Sequence, residues 1–323
     1  MKKLALVFFF LAISSSALAQ ETARERLFDA IEEGDKATVL KMVGRRRHVN
    51  LNHRELWDGE TFLIEAIRAN QPEIVSILLT HGADPNLREI AGVDAEDKNL
   101  PGETPLAAAL ALEEGSTEMV QLLMRHGVKL RDNPSILHLA TSIEMVRFLI
   151  DRGAPIDGRN DDGATYLQTV AADAGDDAEE EEVARLLIER GANVNIADKD
   201  GATPLLRCQS IEIAQLLIAH GANVNATNNE GMTPLHMAAF EESRSELGEL
   251  LVKHGADVNA RNREGYTPLD FLVADTFNYD FALFLVAHGA RVNYDLVKKY
   301  GLEQDFEEIR KAIQSGNWRN PPN

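Results

Sequence analysis

The chain holds 323 residues, 44% of them hydrophobic, with 33 Lys and Arg against 52 Asp and Glu and a formal charge of −19. That apolar share supports a packed core and rules out a disordered chain, and the length suits two ordinary domains or one elongated array. The acidic balance sets phosphate backbones and anionic membrane surfaces against it, so nucleic acid and lipid are poor partners.

Met1-Lys2-Lys3 is a short basic start, Leu4 to Ile13 an unbroken apolar run, and Ala17-Leu18-Ala19 a small-x-small site. This three-part layout predicts a secretory signal peptide over residues 1–19, cleaved after Ala19. The apolar run is too short to cross a bilayer core of about 30 Å as a helix, so no membrane anchor is expected after cleavage. The signal is bacterial in style, which makes the periplasm the expected destination and leaves full secretion open. Residues 20–55 carry a short helical pattern, Arg26-Leu27-Phe28-Asp29-Ala30-Ile31 and then Gly34, followed by the basic run Arg45-Arg46-Arg47-His48, read as a solvated loop.

From residue 56 to 294 the chain repeats itself. A helical Leu-Leu-x-x-His-Gly-Ala-x-x-Asn or a near variant ends on Gly82, Gly127, Gly153, Gly191, Gly221, Gly255 and Gly289, in steps of 45, 26, 38, 30, 34 and 34 residues. Upstream of most copies stands Gly-x-Thr-Pro-Leu or a degraded form, as in Gly102-Glu103-Thr104-Pro105-Leu106, Gly201-Ala202-Thr203-Pro204-Leu205 and Gly265-Tyr266-Thr267-Pro268-Leu269. Thr before Pro caps a helix, and Pro at the first position gives up only an N–H that has no helical partner. Paired aliphatics such as Val75, Leu78 and Leu79 make the inward face of a second helix. The Gly after His stops that helix in the left-handed region, and the His suits the negative helix end.

These two elements in phase make the sequence resemble the ankyrin repeat family, whose mark Thr-Pro-Leu-His-x-Ala stands complete at Thr233-Pro234-Leu235-His236-Met237-Ala238. The resemblance implies an all-α solenoid of about seven helix–turn–helix repeats over residues 56–294. No repeat buries its apolar face alone, so both ends need caps. Capping helices are expected over residues 20–55 and again, with a terminal tail, over residues 295–323.

Departures from the pattern come next. Residues 90–101 insert between the first and second repeats, and the third repeat is short, opening at Asn133-Pro134 without the usual Gly-x-Thr-Pro. Residues 173–182 hold seven acids in ten, read as a solvated loop between two helices with acids favourably placed at a helix N-terminus, and with a docking site for a basic partner or a loose Ca²⁺ site as alternatives.

No nucleophile elbow, zinc-protease motif or phosphate-cradling loop is present, so neither an enzyme nor a cofactor is expected. His81, His126, His220, His254 and His288 share one repeat position, so they read as separate helix caps and not as a metal site. Asp198-x-Asp200-Gly201 lacks the first acid and the final Glu of a Ca²⁺ loop and reads as a turn. Cys208, the single cysteine, excludes an intramolecular disulfide and reads as a small core residue.

The resemblance implies a protein partner, met by the hairpin turns and first helices on the concave side. Carried onto this chain, the exposed positions there are Trp57, Glu60, Arg68, Lys199, Met232, Phe240, Tyr266 and Asp275. The aromatic members are the expected anchors, with packing against a neighbouring repeat as the alternative. The function expected is a non-enzymatic periplasmic scaffold, monomeric when free. It would act as an inhibitor or immunity protein for an exported, basic enzyme such as a wall hydrolase or peptidase. A scaffold that supports a periplasmic enzyme, or a secreted effector binding a host protein, stays open.

Overall fold

The computed structural model describes residues 22–44, 49–52, 61–88, 103–112, 116–173, 178–240, 244–274 and 278–315. The signal sequence, the run Arg45 to His48, the insertion at 90–101 and the tail from Gly316 lie outside these. The chain divides into two compact units, Met1–Gly153 and Ala154–Asn323. Both are helical, and the described residues hold no strand beyond one isolated antiparallel bridge, Arg159 to Thr165.

The first unit opens on a helix pair, α1 (22–32) and α2 (Lys36–Val43). Leu27, Ile31 and Val39 are fully buried there, as a cap requires. Two pairs follow, α3 (Phe62–Arg68) with α4 (Pro72–Thr80) and α5 (Pro105–Leu110) with α6 (Ser116–Arg125). In the short third repeat two 3₁₀ turns, Leu130–Asp132 and Ile136–Leu139, replace the first helix before α7 (Ile143–Asp151).

The second unit holds four pairs and a cap. The pairs are α8 (Tyr166–Asp173) with α9 (Ala178–Glu189), α10 (Pro204–Arg207) with α11 (Ile211–Ala219), α12 (Pro234–Phe240) with α13 (Ser245–Lys253), and α14 (Pro268–Ala274) with α15 (Tyr279–Ala287). The cap is α16 (Tyr294–Lys299) and α17 (Glu303–Ser315). Even-numbered helices from α8 to α16 touch in sequence as one layer, and odd-numbered helices from α9 to α17 as a second. The core lies between the layers, with Leu167, Leu205, Leu235 and Leu269 from one side and Leu187, Leu217, Leu251 and Leu285 from the other all at most 2% exposed.

Within the acidic stretch at 173–182, Glu179, Glu180 and Glu181 form the first turn of α9, where carboxylates meet the positive end of the helix dipole, as expected of acids at a helix N-terminus.

At four junctions among the described residues a single Asn side chain ties one repeat to the next. Asn195 donates from Nδ2 to the Gly221 carbonyl (2.9 Å) and accepts the Asn223 N–H (2.9 Å). Asn225 does the same with Gly255 and Asp257, Asn259 with Gly289 and Arg291, and in the first unit Asn52 with Gly82 and Asp84. Each planar amide thus satisfies one donor and one acceptor of the turn that closes the next repeat. Asn293 occupies the same place in the last repeat and instead caps α16 through Leu296 N–H.

The hairpins that precede α10, α12 and α14 also touch in series. Asn229 N–H reaches the Asp200 carbonyl (2.7 Å) and Arg263 N–H the Glu230 carbonyl (2.9 Å). Gly231 permits this, since its φ of +78° is left-handed and a Cβ there would lie 3.0 Å from the Arg263 nitrogen. Gly248 is a different case, a buried glycine inside α13 on which the Phe281 ring rests.

Two stability outcomes follow from these contacts. Asn225→Ala removes both bonds of one clamp and is expected to cost about 1–2 kcal/mol in denaturant unfolding, with Asn225→Asp, which keeps only the acceptor, intermediate. Gly248→Ala gains up to about 1 kcal/mol of helix propensity. Its Cβ, however, would run into the Phe281 ring at Cζ. Overpacking of about 1–3 kcal/mol is the larger effect, so its Tm is expected to fall and a rise would contradict the packing.

Candidate functional site

On the hairpin side of the second unit the fourth residue after each helix-opening Thr forms a row: Thr169, Arg207, Met237 and Phe271. Two clefts lie along it, of about 460 Å³ beside Thr169 and about 480 Å³ beside Met237, and they share Ala172, Asp200 and Arg207. They make a continuous trough under the hairpins of repeats four to six. Its floor includes Ala172, Leu206 and Met237, while Asp162, Lys199, Asp200 and Glu230 stand on the hairpin side.

The divide between the clefts is a charge cluster. Arg207 Nε meets Asp198 Oδ2 at 2.5 Å, and Nη2 meets Asp200 Oδ2 at 3.0 Å. Asp198 is buried and also accepts the N–H groups of Asp200 and Ala202, so the Asp198-x-Asp200-Gly201 segment is a turn, as its sequence indicates. Burial lowers the Arg207 pKa, and the bonds to Asp198 and Asp200 outweigh that, holding the guanidinium above its ordinary value. With Asp198 counted, the trough carries five carboxylates, of Asp162, Asp173, Asp198, Asp200 and Glu230, against the cations of Lys199, Arg207 and Arg244.

At one end of the row lies an aromatic patch. The half-buried Phe271 ring stands edge-on to Phe240 (6.3 Å, 74°) and to Tyr266 (6.0 Å, 75°), which are 46% and 41% exposed. His236 packs edge-on beneath Phe271 (5.8 Å, 86°) and is fully buried. Its Nδ1 accepts from Thr233 N–H (3.1 Å) and the Thr233 hydroxyl (2.8 Å), which leaves the proton on Nε2, facing the Tyr266 carbonyl at 3.1 Å. His236 therefore closes the start of its own helix and positions the next hairpin. Gln168 does the same job in repeat four, taking Thr165 N–H (2.7 Å) and donating to the Ala202 carbonyl (2.6 Å). In repeat seven Asp270, an acceptor only, takes Thr267 N–H. Leu206 stands at this place in repeat five, and Thr203 Oγ1 is buried there without a partner among the described residues.

The eight expected contact residues scatter. Phe240 and Tyr266 share the patch, and Lys199 borders the trough with its amine on the Asp161 carbonyl. Met232 is a correction. It is 7% exposed, packed where its sulfur receives Asn262 Nδ2 at 3.5 Å, so the hairpin turns that side chain inward. Arg68 is exposed in the first unit and paired with Glu103 at 2.6 Å. Trp57, Glu60 and Asp275 lie outside the described residues. Phe271, which both exposed rings lean on, was not singled out from the sequence; its signal was the register of the row. Nor was the trough, whose signal was the 30-residue step between Gly191 and Gly221.

His81, His220, His254 and His288 each place Nδ1 2.8–2.9 Å from the carbonyl four residues earlier, as separate helix ends. The described residues hold no group of three or more metal-ligating side chains and no helix long and apolar enough to cross a membrane. Cys208 is 1% exposed, with burial pushing its thiol up to about 12, so it is not poised as a nucleophile.

A family model described as ankyrin repeats (3 copies) matches the chain in overlapping stretches at residues 27–133, 87–160, 110–198, 137–228 and 206–295. No curated protein matches it.

Burial holds His236 below the ordinary imidazole value near 6.5, opposed by the Tyr266 carbonyl at Nε2 and by the charge of Asp270 in the next repeat, and protonating Nδ1 would cost the Thr233 N–H its acceptor. The unfolded chain therefore takes the proton first. The stability His236 contributes is complete above about pH 6.5 and is lost as pH falls from there through the folded value. Thermal unfolding between pH 7.5 and 5 should show a smaller loss of Tm for His236→Gln than for the native chain, because Gln168 shows that a carboxamide makes the same bonds. Equal losses would contradict the assignment.

Proposed function

The chain belongs to the ankyrin repeat family, a protein-interaction scaffold, and we propose that it is a periplasmic inhibitor or immunity protein for an exported, basic enzyme that acts on the cell wall. The observation that carries this is the trough of the second unit, open on its hairpin side, ending in three aromatic rings and set in a chain of charge −19. Exposed aromatics beside a polar cleft are the anchors that dominate binding energies at protein interfaces. A large negative charge speeds encounter with a positively charged partner and repels acidic ones. The export assignment rests on the basic start, apolar run and Ala-x-Ala site of residues 1–19. A cell that exports a wall-cutting enzyme needs a partner in the same compartment to hold it inactive, and a protein-interaction scaffold of helical repeats suits that task.

The test is enzymatic. Residues 20–323 at micromolar concentration are added to an envelope extract digesting purified peptidoglycan, beside a Phe240→Ala/Phe271→Ala double variant. Digestion should fall with the native chain and recover with the variant, which removes about 2 kcal/mol or more of anchor contacts. Unchanged digestion would contradict inhibition, and a rise would mark the scaffold as one that supports its enzyme.

A further inference from the structure

The first helices of the second unit are not of equal length. α8 has eight residues, α12 and α14 have seven, and α10, between them, has four. The step from Gly191 to Gly221 is likewise four residues shorter than the two steps that follow it, so repeat five has lost one helical turn. The chain leaves α10 at Cys208 in extended conformation and is tied back to α8 by Gln209 N–H on the Ala171 carbonyl (3.1 Å). Where the missing turn would stand, a notch of about 480 Å³ opens between the end of α8 and the middle of α12.

Its walls are mixed. Ala172, Leu206 and Met237 supply apolar floor, Asn228 and Asn229 supply amides, and Asp200 and Glu230 stand on the hairpin side. Arg207 is already answered by Asp198 and Asp200, and Arg244 is 8% exposed, so neither presents an open cation. Glu230 and the neighbouring Asp162 and Asp173 are exposed carboxylates. An apolar slot with carboxylates at its mouth fits a long aliphatic stem ending in a cation.

We propose that this notch takes an arginine or lysine side chain from an extended basic segment of the protein partner, with the stem on Ala172, Leu206 and Met237 and the charge met by Glu230 and Asp200. The inference rests on the reading of the chain as a binding scaffold and adds which chemistry its trough selects. The net negative charge of the trough favours a cationic segment, and the aromatic patch on the far side of α12 offers further cation–π and apolar contact to the same strand.

The test uses the full chain and a fluorescein-labelled decapeptide of alternating Arg and Ala, with alternating Glu and Ala as counterpart, read by anisotropy at 50–150 mM salt, roughly one Debye length of 8–14 Å. The Arg peptide should bind and the Glu peptide should not. Gln209→Trp places a bulky ring at the notch from an exposed position and should weaken binding by about tenfold, a difference of about 1.4 kcal/mol. Glu230→Gln fills nothing and should weaken it about threefold, while Glu303→Gln on α17 should leave it unchanged. Equal binding by Gln209→Trp and the native chain, or no binding of the Arg peptide, would overturn the proposal. The two readings separate in the peptidoglycan assay: if both notch variants still inhibit as the native chain does, the notch assignment fails and the inhibitor stands; if the native chain does not inhibit, the inhibitor fails whatever the peptide does.

Discussion

A single carboxamide clamped onto the closing turn of the next repeat, found at four junctions and at three successive ones in the second unit, is the contact on which that unit's surface depends. Helix pairs joined only by apolar packing could slide, because hydrophobic contact is not directional. The Asn side chain removes that freedom by meeting a glycine carbonyl and an N–H two residues on, at 2.7–3.1 Å, in each of the four clamps from Asn52, Asn195, Asn225 and Asn259. With register set at that edge, the hairpins on the other side come close enough to bond backbone to backbone, and their glycines have no Cβ to hold them apart. Gln168 and His236 add the third tie, from the start of one helix to the next hairpin. A binding surface assembled from several repeats is therefore formed before any partner arrives, which limits the ordering cost of association.

Much of this was legible in the residues, and for physical reasons. The Thr-Pro helix starts, the His-Gly ends and the buried Leu pairs each obey local rules that act within a few residues, so the helix pairs and their caps could be read off directly. The role of Cys208 and the turn at Asp198 to Gly201 were legible in the same way. What could not be read depends on distances between repeats. Met232 resembles an exposed hairpin residue in sequence, and only the approach of Asn262 from the following repeat turns it inward. Phe271 sits in a helix that reads as ordinary, and its importance comes from two rings supplied by residues 240 and 266.

The candidate site arises where the second unit departs from its regular repeat. Repeat five lacks a turn of its first helix and has Leu206 where its neighbours place a polar side chain. The gap is left as an open notch bordered by the Arg207 network. Departures of this kind cost stability that a regular repeat would have kept, as the unpartnered Thr203 hydroxyl illustrates. They also produce relief on a surface that is otherwise periodic, and relief is what allows one partner to be told from another.

The most direct test of the account is hydrogen exchange on the chain alone and in complex with the envelope enzyme it is proposed to inhibit. If the trough and the aromatic patch form the interface, protection on binding should concentrate in residues 160–173, 198–209, 228–240 and 262–271, and leave the outer helices α11 and α13 unchanged. Protection centred on α11 and α13, with the hairpins and first helices unaffected, would contradict it.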